Sequence, residues 1–487
     1  MTRGKTIWLM TLLTAAVMLS CEVSADTLLY AGEALTTDDS CVFSRSEEKE
    51  PDHAKLLMQY PAGSHRVDEE YRGCADFVWT FTHNSFSYTA FCDDNTKGVC
   101  PDCGDSHIHQ PYQAAGTNEK GVSISAAVPL TGNDGILAED PYIKKGIGAA
   151  EIPTILLGEA ETAGEAVQLL TSIYDSQGAR EGCGVLIADQ KESWYVENTS
   201  GTQYLALKLN KDLFFTNPGL SVIGLIDLDD EENVHASENL IETAVDAGTF
   251  EGNETENRID FAASYGGEET PAVDERMKAV LEYFGHENWD GETWKEVYPL
   301  SNLDEEGSIV PLYTGIDIEK LITIQELTGF YRLPAVSGIE TIQTHIFQIW
   351  SDVILEDSTA MWVSLADSRH SVFVPFYPLL TVNLYPAYTT GHVLKALDEE
   401  GSGWEESLYW ACMNLGHMAS VDDESDKVIA ERMESLQNEI FEDYRAEQGA
   451  IVMAGSVSDW AATEGSNSMG EKVFHGALAL AEELSSQ

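Results

Sequence analysis

Residues 25–48, ADTLLYAGEALTTDDSCVFSRSEE, contain two short runs of strand-forming residues on either side of a polar turn. The runs at 27–31 and 41–45 include tyrosine, valine and phenylalanine, which are enriched in β-strands. The segment between them, EALTTDDS, carries the Thr, Asp and Ser residues that favour turns. This pattern predicts an antiparallel hairpin near the start of the chain.

The residues before the hairpin have the three parts of an export signal. Arg3 and Lys5 form a basic start, residues 7–20 form an apolar stretch, and residues 23–25, VSA, resemble a cleavage site. Cleavage after residue 25 would make Asp26 the first residue of the mature protein. The apolar stretch is too short for a membrane span, and no other transmembrane segment is expected.

Export predicts a protein that is secreted or held at the cell surface. Lipidation of Cys21 is an alternative that would anchor the chain, although Leu19 fits the lipidation motif poorly. Signal-peptide cleavage before Asp26 is the interpretation we carry forward.

The chain is strongly acidic, with 27 basic residues against 83 acidic ones and a formal net charge of −56. Such a charge repels nucleic acid and anionic membrane surfaces, so neither is an expected partner. The acidic run at 226–233, IDLDDEEN, has two interpretations, a calcium site and a solvated loop. The loop is favoured because the spacing of an EF-hand is absent.

The eight cysteines become seven if Cys21 is removed with the leader, so at least one is expected to be unpaired within the chain. The segment CPDCGDSHIH, residues 100–109, holds two cysteines and two histidines that could bind zinc. Its spacing is tighter than in ordinary zinc fingers, and a local disulfide or free thiols are favoured instead.

Apolar spacing along the rest of the chain predicts one α/β domain whose strands form several antiparallel groups. A helix is expected over 159–174, a hairpin over 183–198, and a helical C-terminal part with one apolar stripe over 429–444. Further strands are expected within residues 76–91, 121–128, 205–219 and 345–378. No internal repeat or low-complexity linker interrupts the chain.

No serine-hydrolase, P-loop or dinucleotide-binding motif is present, and neither a metal nor a cofactor is expected. The remaining source of chemistry is the new N-terminus itself. A free α-amino group has a reference pKa of about 8, so it can act as a general base for the side chain of its own residue.

Residues 25–48 resemble the start of the cysteine dipeptidases of the dipeptidase A type, which are N-terminal-nucleophile (Ntn) hydrolases. Their mature chains begin C-T-T-x-x-x-x-G, followed by a D-G-S turn and an R-x-E-D segment. The matching residues here are Thr27, Gly32, Asp38, Ser40, Arg45, Glu47 and Glu48. Further segments resemble the family in the same order, at 88–95, 114–126, 184–198, 215–219 and 346–378.

The resemblance implies an α/β (α+β) fold, the four-layer αββα sandwich of the Ntn hydrolases, with added C-terminal helices. It implies a dipeptidase-like domain over 26–450 after a signal peptide over 1–25, with a C-terminal extension over 451–487 packed on or beside it. It also implies hydrolysis of dipeptides or short peptides by an N-terminal cysteine, through a thioester and without a metal. A homo-oligomer is left open.

Carried over by position, Arg45 would lie near the nucleophile and Glu48 would take the acidic place three residues later. Asn217 would offer its amide to the substrate or the oxyanion, and Asn118 and Arg276 are candidates for substrate binding. Each has a structural alternative: a plain salt bridge for Arg45 and Glu48, and turn positions for the two asparagines.

The sequence departs from the family at its most important position, because Asp26 stands where the nucleophilic cysteine is expected. Residues 126–128, AAV, also replace the family's A-T-E and remove two polar groups. Two hypotheses follow. The protein is an exported dipeptidase with an altered nucleophile, either Asp26 itself or Thr27 after removal of Asp26, or it is an inactive relative that binds peptides or a partner.

Overall fold

The structure is a computed structural model that describes residues 26–49, 54–94, 112–285, 321–391, 404–454 and 458–486. The predicted leader at 1–25, Cys21 and the Cys-x-x-Cys segment at 100–109 lie outside the described residues.

A six-stranded antiparallel sheet carries the N-terminal hairpin. Its strands lie in the spatial order β12 (Phe214–Asn217), β1 (Thr27–Ala31), β2 (Ser40–Glu48), β17 (Thr341–Trp350), β18 (Thr359–Leu365) and β19 (Val374–Phe376). β1 and β2 pair with Leu28 opposite Arg45, which confirms the predicted hairpin. β17 then pairs with β2 and places His345 opposite Arg45.

An eight-stranded antiparallel sheet faces the first one. Its order is β14 (Val234–Ala236), β11 (Tyr204–Lys208), β10 (Ser193–Asn198), β9 (Gly182–Ala188), β8 (Ser123–Leu130), β7 (Gln113–Asn118), β6 (Tyr88–Asp93) and β3 (Lys55–Tyr60). The predicted hairpin over 183–198 is confirmed as β9 and β10. Two smaller sheets are formed by β13 (Leu225–Asp227), β16 (Arg258–Asp260) and β15 (Gly252–Asn253), and by β4 (Glu70–Arg72) and β5 (Val78–Thr80).

Helices cover the outer faces of both large sheets. The ten described α-helices are α1 (Asp134–Glu139), α2 (Ile152–Glu159), α3 (Ala163–Gln177), α4 (Leu240–Ala247), α5 (Phe261–Tyr265), α6 (Pro271–Phe284), α7 (Ile324–Phe330), α8 (Leu408–Ala419), α9 (Asp423–Ala454) and α10 (Asp459–Ser485). α2 and α3 pack on the eight-stranded sheet, and α8 and α10 pack on the six-stranded sheet. The sheets meet through Arg45 and His345, which both contact Ser125. The arrangement is the predicted four-layer αββα sandwich.

The predicted helix over 159–174 is confirmed as α3, which begins at Ala163, and the sequence did not predict the preceding α2, which ends at Glu159. Thr162 caps α3 by accepting a hydrogen bond from the backbone amide of Glu165, so three residues separate the end of α2 from the start of α3. α2 is buried along its whole length, which removes the amphipathic spacing that would have revealed it. At the far end, α9 runs across position 450, and the domain division at that position stays a prediction.

No helix in the described part of the chain is both long and apolar enough to cross a membrane. The same residues hold no cluster of three or more His, Cys, Asp or Glu side chains placed to bind a metal. Their five cysteines are free thiols, and they are Cys41, Cys74, Cys92, Cys183 and Cys412.

Glu447 is a half-buried acid where α9 meets α10, and both of its carboxyl oxygens are buried. Neither carboxyl oxygen has a hydrogen-bond partner among the described residues, and a Cβ at Gly465 of α10 would overlap the carboxyl group. Burial raises the pKa of Glu447 to about 7. The pKa of Glu447 in the folded protein exceeds its pKa in the unfolded chain. The contribution of the protonated carboxyl group to the free energy of unfolding is therefore complete at acidic pH and is lost as the pH rises through 7.

Glu447→Gln is therefore expected to flatten the pH dependence of stability. Between pH 5 and pH 8, the free energy of unfolding of the native protein should fall by about 1–2 kcal/mol more than that of the variant, after allowance for partial solvent screening. Urea denaturation across this range measures the difference, and Glu442→Gln on the exposed side of α9 is the control. Parallel profiles for the native protein and Glu447→Gln would show that the half-buried acid is not responsible.

Candidate active site

Asp26 lies immediately before β1, which is an inner strand of the six-stranded sheet between β12 and β2. Its carboxylate oxygen Oδ2 lies 2.5 Å from Nη1 of Arg45, and Oδ1 accepts a hydrogen bond of 2.9 Å from the backbone amide of Glu48. The hairpin register explains both contacts, since Arg45 lies opposite Leu28 and the end of β2 returns to the start of β1. Asp26 is only 4% exposed.

Burial and the ion pair with Arg45 have opposite effects on the pKa of Asp26. Burial raises the pKa of the Asp26 carboxyl, while the adjacent Arg45 acts to lower it. Arg45 itself is fully buried, and its charge is shared between Asp26 and, at 3.8 Å, Glu47. A buried pair of this kind is costly to break, because removal of one member leaves the other as an uncompensated charge.

A network of charges behind the pair connects the two sheets. Lys55 of β3 is fully buried, donates to Glu47 at 2.9 Å and also contacts Asp93. Gln343 of β17 donates to the second oxygen of Glu47 at 2.9 Å. Burial alone would raise the pKa of Glu47, but Lys55, Lys49 and Arg45 outweigh it and lower the pKa. The network fixes the orientation of β2 and, with it, the position of Arg45.

A cavity of about 320 Å³ opens next to Asp26, and we name it the Asp26 cavity. The charged side chains that line it are those of Asp26, Glu47, Glu48, Lys49, Arg180 and Glu181. Its other lining residues are Cys74, Ala75, Tyr112, Pro129, Ala149, Ala150, Gly182 and Cys183. The volume lies at the small end of the range for ligand sites in proteins.

Two cations line the Asp26 cavity, and each is held by its own partner. Lys49 places its ammonium 3.6 Å from the centre of the Tyr112 ring, and Arg180 pairs at 3.0 Å with the buried Glu151. Cys183 was not a predicted site residue, because nothing near it in the sequence indicates a site. Burial raises the pKa of its thiol to about 12, so the group is not a thiolate nucleophile at neutral pH.

Glu48 and Arg276 lie together at the edge of this site. Glu48 accepts a hydrogen bond of 2.8 Å from the hydroxyl of Thr341, and Nη2 of Arg276 lies 3.5 Å from the same carboxylate oxygen. Four of the six predicted site residues, Asp26, Arg45, Glu48 and Arg276, are thus brought into one region by β1, β2 and α6.

Comparison with known proteins gives a family model, Peptidase family C69, that matches residues 25–280, just over half of the chain. This chain belongs to peptidase family C69. Curated relatives include a probable dipeptidase B of Streptococcus pyogenes serotype M1, 27% identical over 414 residues that cover 80% of this chain and 77% of that protein. A probable dipeptidase of Salmonella dublin is 31% identical over 245 residues, covering 50% of this chain and 54% of that protein.

A solved structure of a mutant conjugated bile acid hydrolase from Clostridium perfringens also matches. It shares 11% identity over 70% of this chain and 89% of its own, with a TM-score of 0.28. A likeness this weak adds nothing to the fold assignment, which rests on the order of the strands and layers.

Asn217, predicted from the resemblance to the cysteine dipeptidases, lies on β12 beside β1 but is not among the residues that line the Asp26 cavity. Its Nδ2 donates to the Tyr195 hydroxyl at 2.5 Å, and its Oδ1 accepts from the backbone amides of Gly219 and Leu220. The amide therefore shapes the turn after β12, and its role toward an oxyanion stays a prediction.

Asn118 is also not among the residues that line the Asp26 cavity, and it lies at the turn between β7 and β8. Its Nδ2 donates to the carbonyls of Leu157 and Ala160, and its Oδ1 accepts from the amides of Lys120 and Val122. These four bonds use the full hydrogen-bonding capacity of the side chain. They are the contacts expected of the turn residue that was the structural alternative.

Thr27 belongs to the opposite face of the six-stranded sheet. Thr27 pairs with Ser46, and the backbone amide of Thr27 donates a hydrogen bond of 3.2 Å to the Ser46 hydroxyl. Arg45 pairs instead with Leu28. Because successive strand residues alternate between faces, the Thr27 side chain lies away from Arg45. In this register Thr27 is not positioned to serve as the nucleophile of a C69 site.

Proposed function

We propose that this protein is an exported member of family C69 that binds short peptides in the Asp26 cavity and does not hydrolyse them through a covalent intermediate. The observation that carries the proposal is the engagement of both carboxylate oxygens of Asp26, one by Arg45 and one by the amide of Glu48. The residue in the nucleophile position is thereby part of the scaffold.

The chemistry of a carboxylate supports the same conclusion. Attack of an Asp26 oxygen on a peptide carbonyl would expel the amine and leave a mixed anhydride, which is less stable than the amide that is broken. The attacking oxygen would also have to give up a buried ion pair or a backbone hydrogen bond. A cysteine in the same place avoids both costs, because it forms a thioester and its thiolate is a strong nucleophile.

The lining of the Asp26 cavity is suited to binding a small ligand. The Asp26 cavity combines small apolar side chains, such as Ala149 and Ala150, with a few charged groups that can orient a ligand. Processing after residue 25 would add a free ammonium at Asp26 and bring one more charge to the cavity wall. Relatives of the chain are probable dipeptidases, which makes dipeptides and other short peptides the first ligands to test.

A second candidate function is slow dipeptide hydrolysis by a water molecule that Asp26 activates. It is favoured by the burial that raises the pKa of Asp26, because a carboxylate with a higher pKa is a better general base. This route forms no bond between enzyme and substrate, and it predicts that Asp26→Asn abolishes the activity.

The test uses protein recovered from an exporting host. Intact mass identifies the first residue, calorimetry measures the binding of alanyl-alanine, and chromatography detects any alanine released. We expect Asp26 to be first, one peptide to bind per chain and no alanine to form. Ala149→Leu, which fills part of the cavity, should weaken binding about tenfold or more, while Ala236→Leu outside it should not.

Three other results would contradict the proposed function. Release of alanine that is lost in Asp26→Asn would establish the second candidate instead. A chain that begins at Thr27 and is inactivated by Thr27→Ala would overturn the assignment of Asp26. Absence of peptide binding in the correctly processed protein would refute the proposed function.

A further inference from the structure

A second cavity shares the lining residue Glu48 with the Asp26 cavity. It has a volume of about 270 Å³ and is formed by residues 334–340 together with Ala272, Glu275 and Arg276 of α6, and we name it the Arg276 cavity. Glu48 lines both cavities. A ligand that crosses Glu48 would therefore occupy the two cavities at once.

Arg276 has a buried guanidinium whose Nη1 donor makes no hydrogen bond to the described residues. The residue is 7% exposed, and its Nη2 lies 3.5 Å from Glu48. Its Nη1 is buried and has no hydrogen-bond partner among the described residues. A buried, charged donor without a partner is costly, and native proteins satisfy such groups with a protein atom, water or a ligand.

The other polar groups that line the Arg276 cavity do not accept a hydrogen bond from Nη1 of Arg276. Glu275 and Glu340 are exposed at its rim, where solvent screens their charges. The hydroxyl of Ser337 donates to Asp367 at 2.7 Å and is directed elsewhere. Arg276 is therefore the buried cation of this cavity, and the partner that fits it is a planar anion.

We propose that Arg276 binds the terminal carboxylate of the peptide ligand. The proposal rests on the proposed function, since it places one residue of the peptide in the Asp26 cavity and the next in the Arg276 cavity. A guanidinium matches a carboxylate with two parallel hydrogen bonds, which a neutral amide cannot replace. The site thus selects dipeptides with a free C-terminus over longer chains and over C-terminal amides.

The experiment compares alanyl-alanine with its C-terminal amide in calorimetry on the full processed protein. The native protein should bind the free acid about tenfold more tightly. Arg276→Gln should bring the two dissociation constants to within about twofold of each other. Arg276→Lys, which keeps the charge but loses the paired geometry, should give an intermediate ratio and covers the case in which Arg276→Gln does not fold.

Lys278→Gln is the matched control, because it removes one positive charge from the same helix at a half-exposed residue outside either cavity. It should keep the tenfold preference. Propionate serves as a probe that does not depend on peptide binding, and it should raise the melting temperature of the native protein and of Lys278→Gln but not that of Arg276→Gln.

The outcomes separate this inference from the proposed function. Peptide binding with equal affinity for acid and amide, or a preference that survives in Arg276→Gln, would overturn the carboxylate site and leave the proposed function standing. Stabilisation by propionate through Arg276 without any peptide binding would refute the proposed function and the peptide as ligand. No effect of propionate would refute the anion site directly.

Discussion

Asp26→Cys is expected to give the processed protein dipeptidase activity, which the proposed function does not assign to the native chain. The substitution provides a thiol next to the free α-amino group, which can accept its proton. The buried charge of Arg45 favours the thiolate and no longer has a carboxylate at position 26 to neutralise it. Release of alanine from alanyl-alanine should rise by on the order of 10²–10⁴-fold over the background rate measured with the native protein present, the usual contribution of a positioned acid–base group.

Two controls make the result specific to the thiol. Asp26→Ala removes the same ion pair without adding a nucleophile and should stay inactive. Alkylation of Asp26→Cys with iodoacetamide should remove the gained activity, while the buried thiol of Cys183 is protonated and reacts slowly. If Asp26→Cys folds and binds peptide but stays inactive, the polar groups replaced at 127 and 128 would be the next requirement to restore.

The N-terminal hairpin and its register could be predicted because they depend on neighbouring residues. Asp26 and Arg45 are 19 positions apart, and a turn with typical residues brings them together. The same holds for the hairpin over 183–198, where β9 and β10 are consecutive. The four layers could be predicted only through the family resemblance, because antiparallel strands alone do not determine which strands share a sheet.

The charge network could not be predicted from the sequence. Lys55, Asp93 and Gln343 come from three strands that are distant in the chain, and each has an ordinary sequence context. Their meeting at Glu47 depends on how the two sheets face each other. Asn118 lies in a matching motif and makes all its hydrogen bonds to the backbone of a turn and of the end of α2, so its role toward a substrate stays a prediction.

Arg45→Met is expected to be the most destabilising single substitution in the site. Glu47 keeps Lys55 and Lys49 as partners, so the loss falls mainly on Asp26, which is left as a buried carboxylate beside one backbone amide. Breaking a buried pair in this way costs about 3–5 kcal/mol. Urea denaturation at pH 7 measures the loss, and Arg258→Met at the partly exposed pair with Asp227 is the control, with an expected cost below about 1 kcal/mol.

The double variant Arg45→Met/Asp26→Asn tests the physical reason for that loss. If the cost comes from the stranded carboxylate, its replacement by a neutral amide should restore more than half of the stability. The pH dependence should agree. Without Arg45 to oppose burial, the pKa of Asp26 would rise further, so protonation at acidic pH relieves the single variant and its deficit should be smaller at pH 4.5 than at pH 7. A deficit that is the same at both pH values, and unchanged in the double variant, would instead mean that Arg45 stabilises the protein through the packing of its long side chain between the sheets.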